Sequence, residues 1–177
     1  MADSIPQELL DKLRLERAGW IVKNPEPWDD AQQKEFHILF SGEVDRRMDE
    51  GRGSCVLRET DNAEILCRSL LKFDGERYLI HSYVVMPNHA HILFSLAEGQ
   101  TLEDVVGAWK RYSAIGINRR MGREGTLWQR DYFDRLIRNW QHMIRVARYI
   151  RRNPGKGNVP DGQYTLHESD WVRRMLA

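Results

Sequence analysis

Hydrophobic and polar positions follow two different periods in the middle of the chain. Between residues 61 and 72 the apolar positions recur every three or four residues, which predicts an amphipathic helix. Residues 77–85 and 89–96 are rich in β-branched and aromatic side chains, which favours strands. Pro87 and Asn88 interrupt the two runs, so we expect an antiparallel pair joined by a short turn.

The same patterns extend over most of the chain. Further helices are expected at 6–20, 29–49, 101–121 and from Asn139 to the stop signal Asn153-Pro-Gly155. Further strands are expected at 54–58 and 127–137. The order from residue 54 is then β-α-β-β-α-β followed by a helix, which predicts an α+β protein with a ferredoxin-like core. We divide the chain into a helical N-terminal extension (1–50), a core domain (51–155) and a C-terminal tail (156–177) in which we recognise no chemistry.

The most informative residues are His89 and His91. Side chains two apart on a strand point to the same face, so both imidazoles should lie together while Ala90 and Ile92 point away. Two imidazoles on one surface form half of a metal site. Two unrelated histidines, one exposed and one near a turn, would give the same pattern.

The last predicted helix carries a second pair of polar side chains. Tyr149 and Asn153 are four residues apart and should share one helical face. If that face covers the strand with the histidines, an amide oxygen and two imidazoles would suit a divalent ion such as Mg²⁺ or Mn²⁺. The Tyr149 hydroxyl could then attack a phosphate that the ion polarises and form a covalent phosphotyrosine. The alternative is that Tyr149 is an ordinary core aromatic.

Composition indicates the cellular compartment in which the protein works. Cys55 and Cys67 have no paired spacing, which argues against a disulfide scaffold or a zinc ribbon and favours a reducing cytoplasm. No apolar run reaches the length of a membrane span, and the first residues do not resemble a signal peptide. We therefore expect a cytoplasmic protein without a membrane partner.

Charge is strongly segregated although the net charge is only +1. Residues 107–153 hold 12 Lys or Arg against 3 Asp or Glu, a balance of +9, whereas residues 1–106 hold 12 against 20, a balance of −8. Arginine dominates the basic half, which favours binding to phosphates, although solvated helix faces would give the same count. The candidate DNA-binding residues are Trp109, Lys110, Arg111, Tyr112, Arg119, Arg120 and Arg123. We expect the cations to contact phosphates and Trp109 or Tyr112 to lie near a base.

Several separate blocks of sequence resemble one known family. The run Val84-Val-Met-Pro-Asn-His-Ala-His-Ile-Leu93 resembles the HUH motif (His, hydrophobic residue, His) of single-tyrosine, IS200-like transposases. Four later blocks are similar to the REP-associated tyrosine transposases of that family: Trp109-Lys-Arg-Tyr112, Ile117-Asn118, Gly125-Thr-Leu-Trp-Gln-Arg-Asp-Tyr-Phe-Asp-Arg-Leu-Ile-Arg138 and Tyr149-Ile-Arg-Arg-Asn-Pro154. The resemblance covers roughly residues 50–155. Gly155-Lys-Gly157 departs from the family pattern and leaves the end of the last helix open.

The resemblance implies a role for each candidate residue. It makes His89, His91 and Asn153 the metal ligands and Tyr149 the nucleophile. It implies a single-stranded DNA endonuclease and strand transferase that acts on palindromic repeat hairpins through a 5′-phosphotyrosine, as a monomer or homodimer. The main alternative is a catalytically silent protein that binds hairpin DNA as a regulator. A small metallo-hydrolase would need an acidic ligand or base near His89, and the adjacent sequence offers none.

Overall fold

The computed structural model describes residues 1–51, 53–130 and 132–177. Its helices are α1 (Gln7–Lys23), α2 (Asp30–Phe36), α3 (Gly42–Asp49), α4 (Thr60–Leu71), α5 (Leu102–Met121), α6 (Trp140–Lys156) and α7 (Asp170–Met175). Its strands are β1 (Tyr78–Val85), β2 (Ala90–Leu96) and β3 (Thr165–Glu168). The predicted hairpin of β1 and β2 is therefore confirmed, and so are the predicted helices other than the single one expected at 29–49.

The three strands form one antiparallel sheet in the order β2-β1-β3. Val84 in the central strand lies opposite His91 of β2 on one side and Leu166 of β3 on the other. The register between β1 and β2 shifts between Ile80 and Ser82. This bulge adds one residue to β1, so Ile80 and Tyr83 point to the same face although they are three apart.

Helices cover both faces of the sheet. Ile80, Tyr83 and Ile92 belong to a core that α4 and α5 complete. Val84 and Leu93, on the opposite face, belong to a second core with α6 and α7. The helical side chains of this second core include Ala147, Ile150 and Val172. Because His91 pairs with Val84 across the hairpin, its side chain lies on the face that α6 covers.

The predicted strand at residues 54–58 is wrong. Cys55 adopts a left-handed backbone conformation with φ of 46°, and Val56–Arg58 form one 3₁₀ turn. The side chains of Val56 and Leu57 are buried, and the Leu57 amide donates to the Pro87 carbonyl at 3.0 Å. Residues 54–58 therefore pack into the core beside the hairpin turn and do not form a strand.

The predicted strand at residues 127–137 is also wrong for its described residues; Asp131 lies outside them. The Lys110 ammonium donates to the carbonyls of Gln129 and Arg130 at 2.5 and 2.8 Å, so a side chain occupies acceptors that a strand would offer to its neighbour. Leu136 is 74% exposed, which is unlike a core strand.

The C-terminal tail supplies the third strand in place of these two. β3 pairs with β1, and the Arg151 guanidinium of α6 makes a two-pronged ion pair with the Glu168 carboxylate of β3 at 2.8 and 3.0 Å. The described residues are therefore α+β with three strands, and the ferredoxin-like strand order is not found in them.

The N-terminal extension is helical, as predicted. The expected helix at 29–49 is two helices, α2 and α3, joined by a π-helical turn at His37–Ser41. The extension has a small core of its own, built from Ile5, Leu10, Leu13 and Val44. Within the described residues, no helix is long and apolar enough to cross a membrane.

Candidate active site

The hairpin between β1 and β2 places the two histidines. The Met86 amide donates to the His89 carbonyl at 2.8 Å and closes the turn just before β2. The imidazole rings of His89 and His91 are then nearly perpendicular, with centroids 4.9 Å apart. Both side chains therefore lie on one side of the hairpin, as their spacing predicts.

Asn88 orients the first of these rings. Its side-chain oxygen lies 2.7 Å from Nδ1 of His89, and its side-chain nitrogen donates to the Met48 carbonyl at 3.0 Å. An amide oxygen only accepts, so Nδ1 of His89 carries the proton and Nε2 keeps its lone pair. A fixed tautomer of this kind is typical of histidines that bind metals. From the sequence Asn88 is expected only as a turn residue, although its position directly before the first histidine is a usable signal.

Helix α6 brings the second pair of residues to the same place. The Asn139 side chain accepts the His142 amide at 2.8 Å and fixes the start of the helix. The Tyr149 and His91 rings meet edge to face with centroids 5.2 Å apart. Asn153, one turn further on, is fully buried, and its side-chain amide makes no hydrogen bond within the described residues. The helix continues through Pro154 to Lys156, past the predicted stop.

Electrostatics keep His89 uncharged. Burial lowers the pKa of His89 well below its ordinary value, and the neighbouring His91 and the Met1 amino group lower it further. The nearby amide of Asn153 opposes this lowering of the pKa of His89. A neutral imidazole is the form that binds a metal ion, so the burial of His89 suits a ligand.

These donors fit a divalent metal ion. Two neutral imidazoles, a buried amide and a phenol converge from β2 and α6, and carbonyl oxygen with imidazole suits an ion such as Mn²⁺ or Mg²⁺. Among the residues that the structure describes, no group of three His, Cys, Asp or Glu side chains is placed to hold a metal. The candidate protein ligands at this position are therefore the two imidazoles and the Asn153 amide.

The candidate DNA-binding residues lie on α5 and just after it, across the sheet from Tyr149. Trp109 does not fit the role expected of it, because its ring is 4% exposed and its indole N–H donates to the Tyr78 hydroxyl at 2.9 Å. Lys110 is engaged with the carbonyls of residues 129 and 130. The Arg120 guanidinium pairs with the Asp61 carboxylate.

Other members of this set remain available to a ligand. The side chains of Arg111 and Arg119 are exposed and that of Arg123 is half-buried. The Tyr112 ring is 44% exposed, with the Lys72 ammonium 4.8 Å and the Arg111 guanidinium 5.4 Å from its centroid. An exposed aromatic ring between two cations can stack on a base while the cations contact phosphates.

Comparison with known proteins gives one result. The family described as Transposase IS200 like matches residues 60–153, a segment that begins with α4 and ends at Asn153. No curated protein and no solved structure matches the chain significantly. The matched segment is more than half of the 177 residues and contains both histidines, Tyr149 and Asn153, so the chain belongs to the IS200-like transposase family.

Proposed function

We propose that this transposase is a metal-dependent single-stranded DNA endonuclease and strand transferase that acts on palindromic repeat hairpins through a 5′-phosphotyrosine. Membership of the family already implies DNA binding and DNA cleavage. The metal ion, the covalent intermediate and the hairpin substrate of the REP-associated type are what we add. The observation that supports them most directly is the contact of the Tyr149 ring with His91, which puts a phenol beside the candidate metal ligands.

The protein groups divide into ligands and a nucleophile. His89, His91 and Asn153 would hold one Mg²⁺ or Mn²⁺ ion. A bound ion of this kind withdraws charge from phosphorus and orients the phosphate for in-line attack. Because His89 and His91 belong to one hairpin, and Tyr149 and Asn153 to one helix, docking of α6 on β2 assembles the whole set.

Cleavage by Tyr149 is a balanced exchange of phosphate esters. The Tyr149 oxygen attacks phosphorus and loses its proton. The bond from phosphorus to the 3′ oxygen breaks, and the 3′ oxygen gains a proton. The 5′ phosphate stays on Tyr149 as a diester. Attack by a free 3′ hydroxyl reverses the step and joins strands without an external energy source.

The test is a cleavage assay with hairpin oligonucleotides labelled at the 3′ end, in Mn²⁺, resolved on denaturing gels. The 3′ fragment should migrate with the protein, because the 5′-phosphotyrosine joins the two. Tyr149→Phe should still bind the DNA but form no adduct. Tyr132→Phe is the matched control, since that tyrosine lies outside α6 and its ring contacts Lys110.

Two outcomes would contradict the proposal. An adduct that persists in Tyr149→Phe would remove Tyr149 as the nucleophile. A wild-type protein that binds hairpins tightly but never cleaves them in Mn²⁺ or Mg²⁺ would instead be the catalytically silent regulator.

A further inference from the structure

Positive groups surround a buried histidine near the start of α6. The His142 side chain is 4% exposed, and its Nε2 atom makes no hydrogen bond in the described part of the chain. Three arginines and one histidine act on it electrostatically: Arg135, Arg138, Arg145 and His37. They come from the segment before α6, from α6 itself and from the π-helical turn of the N-terminal extension. We call His142 with the three arginines the α6 basic cluster.

Among the residues that the structure describes, one ion pair involves this cluster. Arg138 lies 3.7 Å from the Glu26 carboxylate. Arg135 and Arg145 are in no ion pair that the described residues form. Partial burial lowers the pKa of Arg135, and the nearby guanidinium groups of Arg145 and Arg138 lower it further. An anion bound between these guanidinium groups would reduce their mutual repulsion.

The cluster shares a helical face with the proposed nucleophile. His142, Arg145 and Tyr149 are spaced three and four residues apart, so they follow one side of α6. At 1.5 Å per residue, His142 lies about 10 Å and Arg145 about 6 Å from Tyr149 along the axis. A DNA strand whose phosphate meets Tyr149 would thus bring a nearby phosphate of the same strand to the cluster. The cations of α5, in contrast, lie on the other side of the sheet.

The chemistry of the cluster fits a phosphodiester. Guanidinium groups match phosphate oxygens, and an imidazole N–H can donate to a third oxygen. The side chains of Arg135 and Arg145 reach solvent, although the protein covers part of Arg135, so an incoming phosphate would displace flexible side chains and not the backbone.

We propose that the α6 basic cluster binds one backbone phosphate of the DNA strand, a few nucleotides from the bond that Tyr149 attacks. The inference rests on the proposed function for the position of the strand, but the binding itself does not require cleavage. It gives a role to Arg135, Arg138, His142 and Arg145, and it identifies the ligand as the phosphodiester of a single DNA strand next to the cleavage position.

The test compares two variants that lose the same charge. The cluster variant is Arg135→Gln/Arg145→Gln, which changes two residues of the α6 basic cluster. The control variant is Lys12→Gln/Arg46→Gln, whose two residues are exposed on α1 and α3, each 4 Å or less from a glutamate of its own helix. Binding of a hairpin oligonucleotide with single-stranded flanks is measured by fluorescence anisotropy over a range of salt concentrations. The cluster variant should lose about 0.7 from the slope of log affinity against log salt, which is the value for one phosphate contact on a single strand. The control should change the slope much less.

A second measurement locates the phosphate. Oligonucleotides with a single neutral methylphosphonate are scanned along the strand. In the wild-type protein one position near the cleavage site should weaken binding about tenfold, and that position should have no effect in the cluster variant. His142→Phe should weaken binding to the unmodified oligonucleotide several-fold with an unchanged circular dichroism spectrum.

The outcomes separate this inference from the proposed function. If the cluster variant matches the control in salt slope and in its response at every methylphosphonate position, the cluster is not a phosphate site, whether or not Tyr149 cleaves. If the cluster responds as expected but no adduct forms on Tyr149, the phosphate site stands and the proposed function fails.

Discussion

The ring of Tyr149 meets the ring of His91 edge to face, with centroids 5.2 Å apart. This contact joins α6 to β2 and so determines which other side chains of the two elements lie close together. With Tyr149 fixed against His91, the next turn of the helix carries Asn153 to His89. The ion pair of Arg151 with Glu168 then ties the outer side of the helix to β3. The four candidate residues are thus held by two elements whose relative position is set by packing.

Removing either histidine should weaken metal binding without unfolding the protein. His89→Ala and His91→Ala each delete one of the three proposed protein ligands, so the affinity for Mn²⁺ should fall by more than about tenfold. Calorimetric titration measures it. His81→Ala is the control, because His81 lies on β1 with its Nε2 near the Ser95 hydroxyl at 2.8 Å. Wild-type affinity in both variants would mean that the pair is only structural.

The Asn88 side chain should tune the same site from outside it. Asn88→Ala removes the acceptor that orients His89, and loss of such a partner typically costs about 10–100-fold in metal affinity. Asn88→Asp keeps an oxygen at that position and should retain more of the affinity. Titration of both variants with Mn²⁺ tests this order. Equal affinities for the alanine and aspartate variants would show that the Asn88 oxygen does not position the ring.

Tyr112 and Trp109 should behave differently although they are three residues apart. Tyr112 is exposed, so Tyr112→Ala should weaken binding to single-stranded DNA by about 1–3 kcal/mol at every salt concentration, as expected for a stacked base. Trp109 is buried, so Trp109→Ala should lower the free energy of unfolding by about 3–5 kcal/mol. Anisotropy and urea denaturation measure the two effects. Unchanged DNA affinity in a folded Tyr112→Ala protein would place the DNA path elsewhere.

Gly116 should be sensitive to a single added methyl group. A Cβ at this position of α5 would lie 2.7 Å from Cγ2 of Ile65 on α4, so Gly116→Ala should destabilise the protein by about 1–3 kcal/mol despite its better helix propensity. Gly107, on the same helix, has open space at its Cβ, and Gly107→Ala should stabilise by up to about 1 kcal/mol. Denaturant midpoints compare the two. Adding Ile65→Ala should reduce the cost of Gly116→Ala, and an unchanged cost would show that Ile65 is not the obstacle.

The sequence by itself determined the pairs of residues within each element. His89 and His91 share a face because a strand repeats every two residues, and Tyr149 and Asn153 share a face because a helix repeats about every 3.6. These are local properties of the backbone and need no knowledge of the rest of the fold. The hairpin and most helices were predicted for the same reason.

Only the tertiary structure decided which apolar runs became strands and which side chains face solvent. Residues 54–58 and the described part of 127–137 look like strands by composition, but a strand forms only where a neighbour offers hydrogen-bond partners, and β3 holds the free edge of β1. Trp109 lies in a basic segment that was expected to bind DNA, yet packing against the sheet buries its side chain. The α6 basic cluster draws on residues from 135 to 145, and His37 approaches it from a distant helix turn. Such a group is invisible to periodicity, because contacts between elements depend on how their surfaces pack and not on spacing along the chain.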